Sequence, residues 1–118
     1  MANPNILNAT SIVGKSKALT LGTSATTILT AGSNELIKIK SLIVANNTGN
    51  STQSFNARWR DDSETTQYYL ARDVTVPFDS TLMFIGTDFP LYLEESDYIQ
   101  VWASGTGIDA TISYEVLS

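Results

Sequence analysis

Apolar and polar positions alternate with period two along most of the chain, and no window of helical length keeps an apolar stripe at i, i+3, i+4 and i+7. Side chains that alternate between two faces suit strands with one face on a core and the other in water. Residues 17–21 and 25–31 read as a first strand pair, joined by Gly22-Thr23-Ser24 and closed by Gly32-Ser33-Asn34. The longest strand signal is residues 35–46 (ELIKIKSLIVAN), where Ile37 and Ile39 oppose Lys38 and Lys40 before Leu42-Ile43-Val44 turns apolar on both faces. That change predicts either a strand running from a half-exposed edge into the interior or a bulge near Ser41.

Asn46-Asn47-Thr48-Gly49-Asn50-Ser51 is a loop, because Asn and Gly tolerate positive φ and short polar side chains bond nearby backbone. Residues 54–60 then alternate Phe55, Ala57 and Trp59 inward with Asn56, Arg58 and Arg60 outward. After a polar loop over 61–66, residues 67–76 carry one further strand or two, ended by Pro77, which lacks the donor a ladder needs. Strands follow at 81–85, on either side of a hairpin turn Glu94-Glu95-Ser96-Asp97, and at 109–117. About seven to nine short strands in one small chain predict an all-β fold, an antiparallel β-sandwich or jelly-roll-like domain. That domain spans 15–118, and residues 1–14 form an N-terminal arm whose Pro4, Ile6, Leu7, Ile12 and Val13 lack clean alternation. The arm lies across its own sheet edge or docks on a neighbouring subunit, which makes these residues candidates for a subunit or capsid interface.

Composition removes most routes to catalysis. With no cysteine and no histidine, disulfides, thiol nucleophiles, Ser-His-Asp arrangements and the commonest transition-metal ligands are excluded. Carboxylates, lysines, tyrosines and hydroxyls remain, so the chain is expected to be no enzyme and to need no cofactor. At 118 residues one core suffices without staples. A net charge of −5 with scattered basic residues argues against a nucleic-acid partner, and the Lys38/Lys40 and Arg58/Arg60 pairs read as solvated sheet faces. No apolar run approaches the length of a membrane helix, and the first residues do not read as a secretory signal.

Three kinds of side-chain cluster remain as candidates for chemistry. Asp61-Asp62-Ser63-Glu64 groups hard oxygen ligands but lacks the alternating spacing of a twelve-residue calcium loop, so it reads as a solvated loop. Glu94, Glu95 and Asp97 sit in a tight turn, where neighbouring carboxylates splay apart instead of facing each other across a sugar. Asp97 is expected to bond nearby backbone there. Tyr68, Tyr69, Tyr92, Tyr98, Trp59 and Trp102 raise the question of a sugar-stacking platform. Trp59 shares a face with Phe55, which leaves Tyr92 and Trp102 as the candidate surface aromatics for a ligand or partner. The triplets at Asn8, Asn46 and Asn50 match the glycosylation pattern at a frequency this Asn-, Ser- and Thr-rich composition explains by chance.

The runs LIKIKSLIVANNTGNSTQSFNARW, QYYLARDVTVPFDSTL, PLYLEESDYIQVWAS and IDATISYEVL resemble small structural proteins of tailed bacteriophages, cyanophage-like ones in particular, over residues 36–117. One departure is Ser96, where the acidic turn of that group leads one to expect Gly. The resemblance implies a non-enzymatic virion protein with a sandwich fold, foremost a capsid decoration (cement) protein on the outer capsid surface. The alternatives are a neck, tail, baseplate or fibre accessory, or a carbohydrate- or receptor-binding module. Its partners would be the major capsid protein or other virion proteins. Because open sheet edges invite pairing and closed symmetry covers them, a homotrimer or larger ring is expected.

Overall fold

The computed structural model describes residues 11–118 except Thr87 and Phe89. Among the described residues nine strands form: β1 (Ile12–Thr20), β2 (Thr26–Thr30), β3 (Leu36–Asn46), β4 (Gln53–Asp61), β5 (Thr66–Val76), β6 (Thr81–Ile85), β7 (Leu91–Leu93), β8 (Tyr98–Ala103) and β9 (Ile108–Leu117). One sheet, A, has the order β1-β9-β3-β6 with β7 also on β3, and the other, B, has the order β2-β8-β4-β5. All pairings are antiparallel. β6 and β7 lie end to end along one flank of β3, with Ile85 opposite Leu42 and Leu91 opposite Ile39. The pairs therefore nest, β4 with β5, β3 with β6 and β7, β2 with β8, and β1 with β9, as in one long hairpin folded over into two layers. This is the jelly-roll form of the β-sandwich.

Alternation supplies the core. Ile37, Ile39, Leu42 and Val44 of β3 and Ile108, Ala110 and Ile112 of β9 face Phe55, Ala57, Ile99 and Val101 of sheet B, all buried. Each fully buried aliphatic side chain of this kind contributes roughly 1.5–3 kcal/mol. Phe55 and Phe84 meet with ring centroids 4.8 Å apart and link the layers. β3 keeps both Ile39 and Leu42 inward because its register against β9 shifts between Ile39 and Ser41, so the bulge reading near Ser41 is the one realised.

Connectivity differs from the sequence reading in two places. β1 and β2 do not pair with each other but enter different sheets, and the Glu94–Asp97 turn is likewise a corner between sheets A and B instead of a hairpin. Local alternation carries no information about which sheet a strand joins. β1 also starts earlier than expected: Ile12, Val13 and Gly14, assigned above to the arm, pair with Leu117, Val116 and Glu115. Pro4, Ile6 and Leu7 lie outside the described residues.

Each open edge carries its own guard. Lys15 and Lys17 of β1 project on the inward side, level with Tyr114 and Ile112, and remain exposed at the rim. β2, β6 and β7 are short, and the ladder of β5 is broken by register shifts around Ala57, with Asp73 at φ 50°. Inward charges, short edges and bulges all block strand addition, which weakens the edge argument for a closed homo-oligomer.

Loops at one end are held by side chains. Asn46 donates to the Ser51 and Val76 carbonyls (2.8 and 3.0 Å) and accepts from the Thr48 amide and hydroxyl (3.0 and 2.7 Å), so a buried amide is satisfied throughout. None of residues 46–51 adopts positive φ, so the loop rests on its side-chain bonds to backbone. The conformational demand falls instead on the facing loop, at Gly107 with φ 111°, where a Cβ would overlap Thr48 Cγ2. Gly107→Ala is expected to destabilise the fold by about 2–4 kcal/mol through strain and overlap together, read as a lowered midpoint in urea unfolding.

Candidate binding face

The outward positions of β8, β4 and β5 come together on one face of sheet B. Pairing aligns Tyr98, Arg60 and Gln67 in one row, Gln100, Arg58 and Tyr69 in the next, and Trp102 with Asn56 in a third. The Arg58 guanidinium lies 5.0 Å from the Trp102 ring centre and its Nε donates to Gln100 Oε1 at 2.9 Å. Trp102 meets Tyr69 edge-on at 6.0 Å, and Arg72 lies 5.2 Å from the Tyr69 ring. The result is a continuous ladder, Arg58–Trp102–Tyr69–Arg72, in which cations bracket an aromatic pair.

The charges on this face are unevenly compensated. Arg60 stands 3.7 Å from the Asp62 carboxylate, whereas Arg58 and Arg72 have no carboxylate partner among the described residues. Every arginine of the chain belongs to β4 or β5 in this sheet, and every lysine to β1 or β3 in the other. Asn56 was expected to point outward to solvent, but it is buried: its Oδ1 accepts from the Asp73 amide at 2.9 Å and holds the bulge of β5.

Sequence reasoning points to Trp102 and Tyr92 as surface aromatics, and the fold does not bring them together. Trp102 is half-buried within the ladder of sheet B, while Tyr92 sits on β7 opposite Lys38, on the outer face of sheet A. It misses Tyr69, Arg58 and Arg72 as site residues. Their spacing with Gln67 and Arg60 marks Tyr69 and Arg58 as outward, but nothing local indicates that β8 lies alongside β4.

Both acidic clusters serve their loops. Asp61 Oδ1 accepts from the Ser63 amide and hydroxyl (3.2 and 2.7 Å) in an Asx turn. Buried Asp97 accepts from the Glu94 amide (3.0 Å) and from the Asp62 amide (2.9 Å), tying the two acidic loops together. Glu95 accepts from the Asn34 amide at 2.7 Å. Among the described residues no group of His, Cys, Asp or Glu side chains is arranged to hold a metal ion. Ser96 has φ 72°, which gives a physical reason for the Gly expected there: the corner needs a left-handed residue.

At the other candidate location, Ile12 and Val13 are 60% and 44% exposed, the first in a row with Leu117 and Leu36, the second in a row with Val116 and Ile37. The start of β1 is thus apolar on both faces and continuous with rows that lead into the core. Compared with models of protein families, with curated proteins and with solved structures, the chain finds no match.

Two outcomes follow from the acidic loops. Asp97→Ala leaves the Glu94 and Asp62 amides without their side-chain acceptor and is expected to lower unfolding stability by about 3 kcal/mol, read from urea unfolding. The Ser63 hydroxyl, foremost, holds the Asp61 carboxyl below its ordinary value of 3.8 against an opposing effect of desolvation. A folded-state value lowered in this way means the turn is at full strength above the unfolded value and weakens as pH falls through the folded one. Carboxyl NMR titration is expected to place Asp61 below 3.8 and to show an upward shift in Ser63→Ala.

Proposed function

We propose that the chain is a non-enzymatic structural protein of a tailed-bacteriophage virion, a capsid decoration protein that binds and stabilises the outer capsid surface. The observation that carries this reading is the apolar end of β1, where Ile12 and Val13 stand exposed a few positions after Ile6 and Leu7 in the sequence. Aliphatic side chains held in water at the margin of a regular sheet favour burial against a partner. The resemblance of residues 36–117 to phage structural proteins supports the same reading, as does a composition without His or Cys. The partner is the major capsid protein, and a trimeric arrangement is proposed on the particle, where repetition of a small contact supplies avidity.

Sedimentation with phage particles depleted of this protein tests the reading. Wild-type protein is expected to saturate such capsids, and a doubly substituted Ile12→Asp, Val13→Asp chain to bind on the order of tenfold more weakly. Binding to isolated tails but not to capsids moves the protein to the neck or tail, and binding to neither removes the virion proposal.

A further inference from the structure

We infer that the outer face of β8, β4 and β5 is a binding site for a carboxylate-bearing polysaccharide, with sugar rings on Trp102 and Tyr69 and carboxylates on Arg58 and Arg72. The inference stands on this face alone and does not rest on the virion reading. It begins from the missing counter-charge: in a chain of net charge −5, two guanidinium groups sit beside aromatic rings without a carboxylate among the described residues. Arg58 commits its Nε to Gln100 and retains its terminal amino groups as donors. A guanidinium presents those donors in a planar fork that matches a carboxylate.

The rest of the face matches a ligand dense in hydroxyls. Its outward residues are aromatic or planar and polar, namely Tyr98, Gln67, Gln100 and Tyr69 beside the arginines and Trp102, with no aliphatic row among them. Trp, Tyr and Arg also occur at protein contacts, but here the rings alternate with guanidinium groups that lack carboxylates among the described residues, which favours a ligand bringing regularly spaced carboxylates and hydroxyls. A polyphosphate is disfavoured by charge: the face has only Arg58, Arg60 and Arg72, and the row of Tyr98, Arg60 and Gln67 borders the Asp61–Glu64 loop. A neutral glycan would use the rings and leave both guanidinium groups unmatched. The ladder is also pre-organised, since each member is held by the next, so little side-chain freedom remains to be lost on binding.

The test is affinity electrophoresis and calorimetry of the full chain at low ionic strength, with polygalacturonate as the probe and dextran and oligothymidylate as comparators. Retardation by polygalacturonate and not by dextran is expected, weakening as salt is added. An Arg58→Gln, Arg72→Gln chain is expected to lose on the order of tenfold or more in affinity, whereas Lys38→Gln, Lys40→Gln on the other sheet changes nothing. Thermal melts of each variant establish that it is folded. The inference is overturned if folded wild-type protein ignores polygalacturonate, if the double arginine variant binds it equally well, or if oligothymidylate binds as tightly.

Discussion

The molecule depends on the return of β9 into the middle of sheet A, between β1 and β3. Ile108, Ala110 and Ile112 have no exposed surface there, and they reach that state only because β4 and β8 close over them from the other sheet. Burial of these rows against Phe55, Ala57, Ile99 and Val101 supplies the main favourable term. The two ends of the described chain are therefore joined: Ser11 and Ser118 exchange backbone hydrogen bonds at 3.0 Å. Pairings this distant in sequence must overcome loop-closure entropy before they return any stabilisation, which puts the fold among slow-folding topologies.

Once the inner rows are fixed, period-two geometry fixes what each sheet shows to solvent. The middle of the outer face of β1 and β9 is small or hydroxylic, at Gly14, Ser16, Ala18, Thr111 and Ser113, with Ser16 and Ser113 hydroxyls 3.0 Å apart. The outer positions of β4, β5 and β8 are large, planar and cationic. Two faces of one small sandwich thus differ in kind, since only the second sets arginines against aromatic rings. The difference arises from sequence positions that are free of core constraints, so chemistry can vary there without disturbing the packed layers.

Much of this was legible in the sequence, for a reason that also sets the limit. Alternation reports which face a side chain takes, so the strands at 81–85 and near 109–117, the end of β5 before Pro77 and the inward Phe55 and Ala57 follow directly. Neighbouring strands are another matter. That β8 lies beside β4 depends on the nesting of all the pairs, and so the contact of Arg58 with Trp102, far along the chain and four strands on in order, has no local signature. Asn56 shows the same limit on a smaller scale, because its burial depends on a bulge in β5 that alternation in β4 does not report.

Guarded edges then decide where partners can bind. A strand added to β1 would meet Lys15 and Lys17, and one added to β5 would meet a ladder interrupted beside Asp73. Recognition is left to surfaces that use side chains instead of backbone, and two of these differ in chemistry: the aliphatic start of β1 on sheet A and the arginine–aromatic ladder on sheet B. A water-excluding contact suits the first and a hydrated, charged ligand the second. Because they belong to different sheets, Ile12 and Val13 can be covered by a partner while Trp102 and Tyr69 stay open, so anchoring and ligand capture need not compete for the same residues.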